Sequence, residues 1–397
     1  MKQREFCCIS ASRKNGGVRV KKFFLCVLIL LLTAGGALWL WLRSSPFGRP
    51  MSPQRLARIT ASPNWNGGAF SRVEPAEIIT AQSHDGLLKA WWKFFTAEYP
   101  DLTPSRPLPS KKTDLKALPA NRDALVWMGH SSFFLKLNGK NILADPVFCG
   151  YASPVPFIGR AFPGTDVYAP DDLPEIDVLV ISHEHWDHLD YKTLSALRPK
   201  IRNVVCGLGL GEYFEMWGFD PKIIHEGDWH DAFGFDGLTV HLLPAQHYAQ
   251  RLFKRDQTLC ASFAFITPQR RVYYTGDSGW AKHVKEIGEK FGPFDLVIAE
   301  NGQYNDDWRH IHMFPEQTAR AAAELWHAKS LLPVHSGKFA LARHPWYEPF
   351  ERLASALSGT GVRLLTPVIG EAVHLDEPER AFAPWWREFM PAQEVRP

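Results

Sequence analysis

Ile181-Ser-His-Glu-His-Trp-Asp-His-Leu-Asp190 decides how this chain reads. It brings His183, His185, Asp187 and His188 together directly after the apolar run Ile176–Ile181. Three imidazoles and a carboxylate crowd together cheaply only around positive charge. A divalent transition metal supplies it, because neutral imidazole nitrogen and carboxylate oxygen are its natural ligands. In an extended segment His183 and His185, two apart, point the same way. Asp187 and His188 then turn toward a second position, so one short loop can feed two metals. The competing reading is a solvated histidine-rich turn. The context favours a site: Ile176-Asp-Val-Leu-Val-Ile181 has the continuous, β-branched character of a strand buried on both faces, and function in such sheets gathers at strand ends.

Further ligand-type residues follow strand-like runs in the same manner. His247 follows Leu238–Leu243, in Pro244-Ala-Gln-His-Tyr248. Asp277 follows Arg271–Thr275, in Thr275-Gly-Asp-Ser-Gly279. His335 follows Ser330–Val334, in Val334-His-Ser-Gly-Lys338. Taken singly, each is equally well a packed polar residue or a turn former, and Asp between glycines is ordinary turn chemistry. Together they form a series of strand ends carrying metal-type side chains.

The order HxHxDH, then a lone His, then Asp in a GD-S-G turn, then a final His, resembles the metallo-β-lactamase superfamily. The stretches 127–148, 181–191, 244–251, 275–280, 292–304 and 333–342 are similar to N-acyl-phosphatidylethanolamine-hydrolysing phospholipase D and its bacterial relatives, over roughly residues 60 to 375. The resemblance implies an α/β fold: a four-layer αβ/βα sandwich of two mixed sheets with outer helices. It implies two Zn2+ per chain, with His183, His185 and His247 on the first, Asp187, His188 and His335 on the second, and Asp277 bridging. It also implies hydroxide attack on phosphorus, because zinc lowers the pKa of bound water to about 7 and paired metals stabilise attacking and leaving oxygens.

His312, in Arg309-His-Ile-His-Met-Phe-Pro-Glu316, aligns with a family histidine beside the scissile phosphate. The resemblance implies that it orients the phosphate or protonates the leaving oxygen. The other reading is a helix-entry histidine, and His310 is a neighbouring competitor. The phospholipase has glutamine where this chain has Ile311, and an apolar stretch where it reads Ala299-Glu-Asn-Gly-Gln303. Those departures bear on the substrate and leave the metal chemistry intact. His130 reads as a partner holding a metal ligand or as a structural histidine; Asp145 has the same two readings, with the supporting role favoured.

The 397 residues are 45% apolar and 22% charged, an ordinary globular composition with ample core. Ligands spread from 183 to 335 must converge, which predicts one catalytic domain over 121–380, after a linker and wrap over 43–120. No internal repeat is found. The N-terminus differs: residues 23–42 carry no charge and are long enough to span a bilayer as a helix. The tail 1–22 holds seven Lys/Arg against Glu5. The positive-inside bias predicts a cytoplasmic N-terminus, a single-pass anchor and a periplasmic catalytic domain; a cleaved signal peptide is the rival. Eight Lys/Arg and one Glu give residues 1–43 a charge of +7; the whole chain is +3, which leaves −4 for the rest. Such a domain is no basic nucleic-acid binder. Six cysteines do not make a disulfide scaffold. His84–Thr96 and the Trp385-Trp386 pair read as packing elements, or as lips that dip into lipid.

The expected function is a binuclear zinc phosphodiesterase of phospholipase D type, acting on N-acyl-phosphatidylethanolamine or a related glycerophosphodiester lipid. A phospholipid and the membrane are its expected partners. The alternatives are a zinc lactonase or ester hydrolase of the same fold acting on a small soluble substrate, and a non-catalytic binding member, against which the complete ligand set speaks.

Overall fold

The computed structural model describes residues 8–78 and 99–391. The amphipathic stretch His84–Thr96 lies outside the described residues. Two compact units divide at residues 49 and 50. The first holds helix α1 (Cys8–Leu42), whose segment Val20–Leu42 is long and apolar enough to cross a membrane.

The second unit is built on two seven-stranded sheets. One runs β14 (Ala372–His374), β1 (Ala124–Trp127), β2 (Phe133–Leu137), β3 (Lys140–Ala144), β4 (Val178–Ile181), β5 (Val204–Gly207), β6 (Ile224–Gly227). The other runs β13 (Arg363–Leu364), β12 (Ser330–Val334), β11 (Leu296–Glu300), β10 (Arg271–Tyr274), β9 (Ala261–Ile266), β8 (Thr239–Pro244), β7 (Ala232–Gly234). Both are mixed: β3 through β6 are parallel and β10 through β13 are parallel, while the remaining pairings are antiparallel.

The two-residue strand period explains the layers. In β4, Val178 and Val180 enter the core between the sheets, where they meet Val240, Phe263, Val272 and Ile298. Leu179 and Ile181 point the other way, against Leu194 and Leu197 of α3 (Tyr191–Leu197) and Phe214 of α4 (Gly211–Met216). The outer face of the second sheet packs on α5 (His283–Phe291), α6 (Pro315–Arg320) and α7 (Glu348–Ala356). Helix–sheet–sheet–helix is the expected four-layer sandwich.

Particular expectations moved. The helix that the His312 segment enters is α-helical only over Pro315–Arg320 and then widens into a π turn, Ala321–Leu325. That turn delivers Trp326 into the core, where its indole donates to the Val284 carbonyl at 2.9 Å. Trp385 and Trp386 are buried against Phe350, and the Trp386 indole donates to Glu351, so this pair is a packing element. Residues 50–62 belong with the catalytic unit. Helix α2 (Pro53–Ala61) sends Arg55 into a buried cluster with Glu212 and Glu226. Cys26, Cys149, Cys206 and Cys260 are free thiols.

Candidate metal centre

Strand direction sets the site. β8 and β10 both run antiparallel to β9, and β11 and β12 run parallel to β10. Their C-terminal ends therefore lie at one edge, which carries His247, Asp277, Glu300 and His335. The first sheet meets this edge where the Ala261 N–H donates to the Ser182 carbonyl, at 3.0 Å, beside the end of β4. His183, His185, Asp187 and His188 thereby face the other donors.

Two donor groups result. In the first, His183 Nε2 lies 2.8 Å from His185 Nδ1, and His247 Nε2 lies 3.2 Å from that same nitrogen. Asp277 Oδ2 completes it, 3.7 Å from His183 and 3.8 Å from His247. In the second, Asp187 Oδ2 is 3.4 Å from both His188 Nε2 and His335 Nε2. The same Asp277 Oδ2 is 3.2 Å from His188 and 3.0 Å from His335. One carboxylate oxygen thus belongs to both groups.

The residues fit metal ions on their own chemistry. Ring nitrogens at such spacing, aimed at one another, suit ligands on a common ion with bonds of about 2.0–2.1 Å. Asp277 Oδ1 is buried with no hydrogen-bond partner, and buried polar atoms are normally satisfied. Protonation tells the same story. Burial, with His312 adding to it, pushes His247 down to about 3, and burial among imidazoles holds His183 and His185 well below the ordinary range. Those three rings are neutral, the ligating form. At His335 burial opposes charge, but Asp277 and Asp187 outweigh it and raise the imidazole to about 10. His188 is raised likewise against burial, by Asp277, Asp187 and Asp145. Without a cation, the carboxylates of the second group draw protons onto their histidines.

The far nitrogens are occupied, which fixes ring orientation. His247 Nδ1 pairs with the Ile311 carbonyl at 3.0 Å, His335 Nδ1 with the Gly302 carbonyl at 3.2 Å, and His183 Nδ1 with Ser182 Oγ at 3.0 Å. His188 Nδ1 lies 2.8 Å from Asp145 Oδ2. Asp145 also accepts from the Ser182 N–H and from Tyr274 OH. Two glycines permit the close approach. A Cβ on Gly279 would lie 2.0 Å from the His310 carbonyl oxygen, and one on Gly302 would lie 2.3 Å from that of His335.

Residues 140–336 match the family described as the beta-lactamase superfamily domain. An uncharacterized protein of Mycobacterium tuberculosis is 38% identical over 365 residues, 89% of this chain and 97% of that one. N-acyl-phosphatidylethanolamine-hydrolyzing phospholipase D 1 of Caenorhabditis elegans is 32% identical over 248 residues, 57% of this chain and 68% of that one. A metal-dependent hydrolase of Aeropyrum pernix is 28% identical over 265 residues, 64% of this chain and 97% of that one. The chain belongs to the metallo-β-lactamase superfamily.

Its fold and donor groups are those of a metal-dependent hydrolase of the superfamily. The structure brings all seven expected metallo-β-lactamase ligand positions together. His312 stands beside both groups, its ring stacked 5.1 Å from that of His335 and tilted against that of His247 at 4.9 Å. His310 is exposed, and its carbonyl faces Gly279. His130 Nε2 contacts Asp187 Oδ2 at 2.9 Å, so its supporting reading holds geometrically. The stretch 299–303 resolves residue by residue. Gln303 spends its amide on the backbone of Phe339, Leu341 and Ala342, and Asn301 donates to the Pro349 carbonyl. Both are braces of the fold. Of the side chains, Glu300 alone turns to the site, and sequence reading assigned it no role; a carboxylate closing an apolar strand was the available signal.

Proposed function

We propose that the chain is a binuclear zinc phosphodiesterase of phospholipase D type, acting on N-acyl-phosphatidylethanolamine or a related glycerophosphodiester lipid. The observation that carries this reading is the shared Asp277 Oδ2, common to two complete donor groups. The likeness to the nematode phospholipase supports the substrate class. In this reading His183, His185 and His247 would hold one ion and Asp187, His188 and His335 the other, with Asp277 available to both. Bound zinc would lower the pKa of water toward neutrality and supply countercharge for phosphoryl oxygens.

The chain's own groups do the rest. His130 and Asp145 hold Asp187 and His188 in place. His312, its Nδ1 engaged by Glu300, has Nε2 left to hydrogen-bond a phosphoryl oxygen or pass a proton to the leaving alkoxide. Val20–Leu42 is proposed as a membrane anchor that keeps the enzyme at a lipid surface, with residues 45–397 outside the cytoplasm.

The test is a substrate panel on metal-loaded protein: an N-acyl phospholipid, a bis-aryl phosphodiester and a lactone. Release of phosphatidic acid and an N-acylethanolamine from the lipid is expected. Turnover of the lactone alone would replace this reading with an ester hydrolase.

A further inference from the structure

We propose that Glu300 is a positioning residue for His312, holding its imidazole in one tautomer and one orientation beside the two donor groups. The inference rests on His312 acting there, as proposed above, and names the group through which it is set.

Glu300 ends β11 and is fully buried after the apolar run Leu296–Ala299. A carboxyl in such a place is costly unless its oxygens are used. Both are used, and on one short loop. Oε1 accepts the Met313 N–H at 2.7 Å, and Oε2 lies 2.9 Å from His312 Nδ1. A single side chain therefore grips backbone and ring of adjacent residues, which fixes the ring's position as well as its hydrogen bond. The root of this grip is itself fixed. The Glu300 N–H donates to Thr275 Oγ1 at 3.0 Å, and the buried Thr318 hydroxyl donates to the Glu300 carbonyl at 3.1 Å. Those bonds tie it to the turn after β10, two residues before Asp277, and to α6.

The ring is held from its face as well. It stacks on His335 with an interplanar angle of 18° and tilts against His247, so it is pinned between a ligand from each donor group. With Nδ1 committed to Glu300, Nε2 is the one ring nitrogen open to a substrate. Which ring nitrogen carries the proton is set by the hydrogen bond the other makes. Removing the carboxyl leaves both tautomers and a looser ring.

The four donors Asp277, Glu300, His312 and His335 lie within 4.8 Å of one another, so a rival assignment makes Glu300 a metal ligand. Its two existing hydrogen bonds speak against that, and the experiment separates the two.

The full chain in detergent is compared with Glu300→Leu, His312→Ala and the double variant. Glu300→Leu is expected to retain the wild-type metal content and a KM within about twofold, while kcat falls about 10²-fold or more, the scale of a misplaced proton-transfer group. In the His312→Ala background the same change is expected to cost less than about twofold, because the partner it acts through is gone. Equal losses in both backgrounds would make Glu300 merely structural and overturn the proposal. So would unchanged kcat, or loss of metal. A second measurement needs neither substrate nor a Glu300 variant: the 15N spectrum of wild-type histidines, in which the resonances lost in folded His312→Ala should report a single tautomer. Averaged shifts there overturn the dyad even if the phosphodiester assignment stands. A single tautomer upholds it even if no phosphodiester is turned over.

Discussion

Asp277 is the residue on which the most depends. Its Oδ2 lies within 3.8 Å of a ring nitrogen from four histidines, two from each donor group. Asp277→Ala is expected to lower metal content at both positions and to abolish turnover, as read by elemental analysis and initial rates. His312→Ala is expected to differ in kind: full metal content, with kcat lower by about 10²–10⁴-fold. Equal loss of metal in that variant would make His312 a ligand. Asp145→Asn probes the support beneath the ligands. It disturbs the hydrogen bond to His188 Nδ1, and supporting partners of this kind typically govern metal affinity by about 10–100-fold. Competition with a chromogenic chelator measures it.

At the level of elements, two features tie distant parts of the fold together. The first is the loop that carries His312. It passes so close to the Thr275–Gly279 turn that Gly279 has no room for a Cβ. Ile311 gives its carbonyl to His247, and Met313 gives its N–H to Glu300. One loop thus orients a metal-type ligand and its own histidine together. The second is α2, which reaches the β6 edge through Arg55. Its guanidinium donates to Glu212 and Glu226 at 2.8 Å each, and all three side chains are buried. Breaking a buried pair leaves an uncompensated charge, at a cost of about 3–5 kcal/mol. Arg55→Ala should therefore shift the denaturant midpoint clearly downward, while the metal site, built on other strands, keeps its ligands. Replacement by Lys should recover only part of the loss, since an ammonium lacks the planar fork that spans two carboxylates.

For the whole molecule, the histidines make stability depend on pH once metal is removed. Burial, chiefly, holds His130 at about 4 and His247, His283 and His312 at about 3, against 6.5 unfolded. The unfolded chain binds more protons below 6.5, so these groups cost stability as pH falls from 6.5 toward those values. His335 acts in the opposite sense. Raised to about 10, it contributes stability that is complete below 6.5 and is lost as pH climbs toward 10. The metal-free protein should thus show its highest urea midpoint near neutrality, with a decline on either side. Restoring metal should raise the melting temperature, because an ion that binds only the folded chain stabilises it by mass action. A plateau without a maximum would contradict the assigned directions.

How much of this was legible beforehand follows from what is local. The ligand-type residues, their place after buried strands and the apolar span near the N-terminus all depend on residue chemistry and on spacings of a few positions. A two-residue alternation orients His183 and His185 whatever the rest of the chain does. The layered sandwich was readable through resemblance and through strand signals of the kind seen in Val178–Ile181. What the tertiary structure alone decided involves residues far apart in the chain. That one oxygen of Asp277 serves both groups depends on β4 of one sheet meeting the β8–β12 edge of the other. Gln303 and Asn301 brace the fold because the chain around 334–349 returns beside β11. Glu300 meets His312 because β11 ends where that loop crosses the Gly279 turn. Donor identity is carried by single residues, and so is visible in the sequence. Which donors share an ion, and which carboxyl holds which ring, is set by the pairing of distant strands, which no local spacing encodes.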